Sequence, residues 1–136
     1  MHLHPTVQPA DWVRELSRYD AGWAHLFGSG NGGDLRRATW DDLNLPARLG
    51  TLAAAGLPWI LRDNRAARVA VQSVAGQHDI GLPFASYEEL AARLRDGGRM
   101  AALGANMRAA RRHFAFDTHV DDLLHFFRQA IARHRS

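Results

Sequence analysis

The chain has 136 residues, 46% hydrophobic and 23% charged, enough for one domain with a real core and outside the disordered and fibrous classes. It has no cysteine, which excludes disulfide scaffolds, thiolate metal sites and cysteine nucleophiles together. The formal charge is only +3, and the pI of 10.5 arises because every basic side chain is arginine. The arginines are spread along the chain rather than gathered in a run, so no nucleic-acid partner is expected.

The first residues, "MHLHPTVQPADW", carry neither a basic nor an apolar signal region. The longest apolar run, Leu49 to Leu61, is interrupted by Pro58 and falls short of the ~18 residues a spanning helix needs. A cytoplasmic location is the expectation.

Met1 to His4 reads as a brief strand. From Pro9 to Ser17, Trp12, Val13 and Leu16 share a helical face. Ala21 to Phe27 reads as a strand buried on both sides, followed by a loop with Gly28, Gly30 and Gly33 in G-x-G-x-x-G order. A helix is expected from Leu45, with Asn44 as N-cap, Pro46 in its first turn and Gly56 as its stop. Leu57 to Leu61 is the next strand. Asp63 or Asn64 is expected to cap a helix from Arg65 to Ala75 that Gly76 ends, and a third strand lies around Asp79 to Leu82.

Ser86, with Glu89 three residues on, forms a capping box for a helix that Gly97 and Gly98 end. Met100, Leu103, Met107, Ala110 and Phe114 mark one closing helix, and Val120, Leu123, Leu124, Phe127 and Ile131 mark another. Short apolar strands alternating with helices define an α/β fold. The expected architecture is one domain over residues 1–136, with a partial Rossmann-like parallel sheet of about three to four strands, flanking helices and a C-terminal helical pair.

The glycine spacing is by itself a weak dinucleotide signal. "DLRRATWDDLN" shows no clean helix after Gly33, and the position of the ribose-binding acid falls inside "GTLAAAG". The loop reads instead as a mobile ligand-side loop at the carboxyl end of a strand. In the helix that follows, Asn44, Arg48, Thr51 and Ala55 share a stripe, while Leu45, Leu49, Leu52 and Ala53 turn inward. A helix N-terminus with an arginine beside it offers an anion a seat, against the plainer reading of a capped surface helix. Gly50 is expected to permit close packing on the strands.

No metal site is expected. His119 and Asp122 are three apart, but His125 lies on another face and His113 belongs to the preceding helix. Asp117 reads as an N-cap, and Asp121 and Asp122 as first-turn acids. Arg108, Arg111 and Arg112 form a basic patch that suits either plain solvation or peripheral contact with anionic headgroups. Trp23 and Trp59 are expected in the core.

"NLPARLGTLAAAGLPWI", Asn44 to Ile60, resembles the segment of GT-B glycosyltransferases in which a proline and a basic residue open a helix ending in alanine-alanine-glycine-x-proline before a strand. "LSRYDAGWAHLF", "HDIGLPFASYEELAARLRD" and "RRHFAFDTHVDDLLHFF" resemble the flanking segments in the same order, so the likeness covers nearly the whole chain. It implies the C-terminal donor-binding half of that fold, with a nucleotide-sugar as donor substrate and neither metal nor cofactor. Asn44 and Leu45 would lie near the donor's sugar or diphosphate, and Arg48 would take the family's basic position. Thr51 stands where many members have a ribose-binding glutamate and offers a single hydrogen bond instead. Gly28 and Gly30 fall on the donor loop.

The family's acceptor domain and first two βα units have no counterpart, and no general base is visible. The resemblance therefore implies a truncated donor domain, inactive in sugar transfer alone, whose open sheet edge calls for a missing N-terminal domain or a second copy. The alternative is a non-catalytic interaction module that pairs through that edge and the arginine patch.

Overall fold

The computed structural model describes residues 6–134, so the strand expected at Met1 to His4 lies outside the described residues. A 3-10 turn at Pro9–Asp11 leads into α1 (Trp12–Leu16) and β1 (Gly22–His25). A second 3-10 turn at Leu35–Arg37 precedes α2 (Trp40–Leu43) and α3 (Arg48–Ala54), and then come β2 (Trp59–Arg62), α4 (Ala70–Gln77) and β3 (Gly81–Phe84). The chain continues through α5 (Tyr87–Leu94), α6 (Gly97–Ala110), 3-10 turns at Arg111–Phe114 and Phe116–His119, and α7 (Val120–His134).

The strands form a three-stranded parallel sheet in the order β1-β2-β3, with Ile60 paired to Trp23 on one side and Leu82 on the other. This is the expected α/β architecture, in a Rossmann-like arrangement. Central β2 is covered on both faces, which is why its sequence shows no polar alternation. Trp59 and Leu61 face Leu49, Leu52 and Ala53 of α3 and Val71 and Ala75 of α4. Ile60, with Leu82 and Phe84 of β3, faces Leu90 of α5 and Leu103 of α6. Each buried Val, Leu, Ile or Phe among them contributes about 1.5–3 kcal/mol by leaving water. At Gly81 the α4 backbone comes so close that a Cβ would lie 2.9 Å from that of Ala75.

Trp23 departs from expectation and is 47% exposed, whereas Trp59 is fully buried as expected. β1 is an edge strand, and the helices over that face, α5 and α6, cover β2 and β3 first. The Trp23 ring is left edge-on to Phe84, with centroids 5.9 Å apart.

Helix boundaries follow local hydrogen bonding. Gly56, at φ 76°, closes α3 as expected, and the Leu57 N–H reaches the Leu52 carbonyl at 2.9 Å. Gly76 does not stop α4, because the left-handed residue is Asp79 at φ 48°, whose carboxylate accepts from Arg99 Nη1 at 2.8 Å and Asn106 Nδ2 at 3.1 Å. α4 begins at Ala70 rather than Arg65, because the Asp63 carboxylate accepts from the Arg65 N–H at 3.0 Å and holds a turn there. Ser86 accepts from the Glu89 N–H at 3.1 Å, as its capping role requires. Gly97 and Gly98 open α6 instead of ending α5, since Asp96 caps the new helix by accepting from the Arg99 N–H at 2.9 Å.

The expected inward face of α6 is buried at Leu103, Met107 and Ala110. The expected inward face of α7 is not, because α7 packs mainly on the turn that precedes it and buries no residue. The two closing helices therefore do not share a core. Among the described residues no helix is long and apolar enough to cross a membrane.

Candidate functional site

Of the buried polar side chains, His25 ends β1, Asn31 and Asn64 lie in the segments that follow β1 and β2, and Asp42 lies in α2. Asn64, beyond β2, accepts from the Ser29 N–H at 2.7 Å and donates to the Phe27 carbonyl at 3.1 Å. Asn31 donates to the Arg68 carbonyl at 2.9 Å and accepts from the N–H groups of Gly33 at 2.9 Å and Arg68 at 3.0 Å. Asp42 accepts from the Thr39 N–H at 2.8 Å. Its carboxyl is held below the usual range by the Ser29 hydroxyl first and the Thr39 N–H second.

These bonds tie down the loop expected to be mobile. Three buried groups are satisfied, as burial demands, and Asn31 and Asn64 join segments 35 to 37 residues apart in sequence. Gly28 and Gly30 differ: a Cβ at either would meet nothing within 4 Å, so the backbone borders open space there.

No helix opens at the glycines. Asp34 caps the short turn Leu35–Arg37 by accepting from the Arg36 N–H, and α2 is a single turn in which Asp42 reaches back to Thr39. Asn44 is consequently the C-cap of α2, its N–H on the Trp40 carbonyl at 2.9 Å, and not the N-cap of α3. The expected anion seat is altered too. The Leu49 and Gly50 N–H groups are occupied by the carbonyls of Pro46 at 2.9 Å and Ala47 at 3.2 Å. The Arg48 guanidinium donates to the Ala24 carbonyl, through Nε at 3.1 Å and also through Nη2, and so satisfies an acceptor on the edge strand.

His25 stands out because both of its ring nitrogens lack a hydrogen-bond partner although the residue is only 6% exposed. Its ring stacks on Phe27 with centroids 4.4 Å apart. Burial, and then the Arg48 charge, lower its pKa and hold the imidazole neutral, with one donor and one acceptor to offer. Sequence reasoning missed it. The only signal was a lone polar residue inside the apolar stretch "GWAHLF".

The other sequence-derived candidates divide. Arg48 and Thr51 line one groove of about 520 Å³ with Trp12 and Leu16. Leu45 lines an adjoining hollow of about 490 Å³ with Trp59, His78 and Phe114, and the two meet at Ala47. Asn44 is half-buried beside them, and Gly28 and Gly30 stay on the loop. His78 and His113 stack at 4.9 Å, His119 Nε2 lies 2.8 Å from the His113 carbonyl, and His125 meets Gln129 at 2.9 Å. Of the arginine patch, Arg108 lies in α6 with its stem along Gly56, and Arg111 and Arg112 lie in the 3-10 turn that runs on from that helix.

The class defined by this fold is a parallel α/β protein, in which ligands bind in the crevice outside the carboxyl ends of the strands. Comparisons with family models, with curated proteins and with solved structures find no match.

Proposed function

We propose that this chain is a nucleotide-sugar donor domain of the GT-B glycosyltransferase kind, holding its donor at the carboxyl edge of β1 and β2. The observation that carries the reading is His25, a buried neutral imidazole with both nitrogens unmatched beside Arg48, at the edge where such sheets take ligands. The resemblance of Asn44 to Ile60 supplies the ligand class. In this reading the open backbone at Gly28 and Gly30 lets the diphosphate approach, and Arg48 supplies positive charge. Thr51 and the Asn44 amide offer hydrogen bonds to ribose or sugar.

Transfer then depends on positioning the donor and stabilising the departing diphosphate. Asp42, in α2, and Asp63, directly after β2, are already engaged by Ser29 with Thr39 and by Arg65, which leaves them poor general bases. The acceptor's base therefore comes from a partner domain, and the chain by itself binds donor without transferring sugar.

Thermal-shift titration with UDP, GDP and a sugar-linked form of each tests this. One nucleotide should raise the melting temperature by mass action, and the rise should shrink in Arg48→Ala and His25→Leu, each compared with its own ligand-free melting temperature. No shift with any of them, from a cooperatively melting protein, contradicts the proposal. It would favour the second reading, an interaction module, which the uncovered face of α7 supports.

A further inference from the structure

α7 spans Val120–His134, 15 residues, and buries none of them. A helix of that length is marginal in water unless an apolar face is covered. Leu124 is 44% exposed, Phe127 49% and Ile131 54%, and with Val120 they form one stripe along the helix. Their spacing is four, three and four residues, which reads the same from either end.

We infer that α7 is a self-association element, and that two copies of this chain pair their α7 helices antiparallel through this stripe. The palindromic spacing sets Val120 against the partner's Ile131 and Leu124 against the partner's Phe127. Charge selects the direction. At 100° per residue, Asp121 and Arg128 fall on one flank of the stripe, the acid near its start and the base further on, while Asp122 and Arg133 fall on the opposite side of the helix. In an antiparallel pair each flank faces its own counterpart, so Asp121 of each copy approaches Arg128 of the other. A parallel pair would set that flank against the other one, which carries Leu123 and Ala130, and would leave both charges without a counter-charge across the seam.

The same charges decide against a bilayer as the occupant. An anionic membrane favours a basic polar face, whereas the two acids of α7 balance its two arginines. One helix face is a small interface, so the pairing belongs to the weak, concentration-dependent class. It stands independently of nucleotide binding.

Sedimentation velocity of the whole chain across the micromolar range should show monomer giving way to dimer. Leu124→Glu/Phe127→Glu should stay monomeric throughout with an unchanged melting temperature, because the stripe lies outside the core. Should that variant fail to fold, the charges still decide: Arg128→Asp should weaken dimerisation, and Asp121→Arg/Arg128→Asp should restore it. The absence of native cysteine allows a direct reading of orientation. Val120→Cys chains mixed with Ile131→Cys chains should form a disulfide-linked pair, and neither should cross-link alone. A wild-type chain that stays monomeric would overturn the inference. So would self-cross-linking of Val120→Cys, a Leu124→Glu/Phe127→Glu variant that still dimerises, or α7-dependent sedimentation of monomer with anionic vesicles.

Discussion

In β2, Trp59, Ile60 and Leu61 are at most 5% exposed, whereas in α7, Leu124, Phe127 and Ile131 are 44%, 49% and 54% exposed. Both segments announce their apolar residues clearly in the sequence. The difference is the cover that topology provides: β2 lies between two strands and under helices on both faces, while α7 leaves the body through two short turns and meets mainly the second of them. Periodicity tells which face seeks cover, and only the three-dimensional path tells whether the same chain supplies it.

That contrast can be broken by substitution. Leu61→Ala, in the covered strand, should lower unfolding stability by about 2–5 kcal/mol in urea titration, the cost of a core cavity. Asn64→Ala should cost about 1–3 kcal/mol, because it leaves the Ser29 N–H and the Phe27 carbonyl without their partner. Amide exchange at Ser29 should quicken as the glycine loop loosens.

The buried imidazole should sharpen the picture through pH. His25 has a lowered pKa in the folded chain, so folding favours its neutral form. Its stability contribution is fully present above the unfolded value of 6.5 and is lost as pH falls through the lower folded value. His25→Leu should flatten that part of the stability profile. The remaining acid loss belongs to the carboxylates whose folded values are depressed, Asp34, Asp42, Asp63 and Asp79 from 3.8 and Glu88 and Glu89 from 4.5, and falls below those ordinary values. The smallest effect is expected at Phe127→Ala, within about 0.5 kcal/mol in urea titration at concentrations where the chain is monomeric. A loss there as large as that of Leu61→Ala would mean that α7 folds back onto the body.

The strands and the main caps could be read in advance because their causes are local. The unbroken apolar run into Leu61 marks a strand covered on both faces, and Ser86 with Glu89 marks a helix start three residues apart. Where two local signals competed, the reading went astray. Pro46 suggested a helix start at Asn44, but Asp42 had already closed a turn on Thr39 that makes Asn44 a C-cap. Gly97 and Gly98 suggested a stop, but Asp96 caps a helix across them.

The candidate site was harder still. Asn31 and Arg68 are 37 residues apart, and so are Phe27 and Asn64, so the buried polar layer has no local pattern to betray it. Arg48 was found by its helical spacing, yet its bond to the Ala24 carbonyl depends on β1 being an edge strand, which spacing does not encode.

The central claim is that a ligand belongs at the carboxyl edge beside His25. The most direct measurement is nuclear magnetic resonance of the His25 ring nitrogens, together with the Gly28 and Gly30 amides, as UDP or GDP is added. Saturable shifts of the His25 ring and of both glycine amides, absent in Arg48→Ala, are expected for one nucleotide. A His25 ring that stays unmoved at saturating concentrations of both nucleotides would contradict the claim.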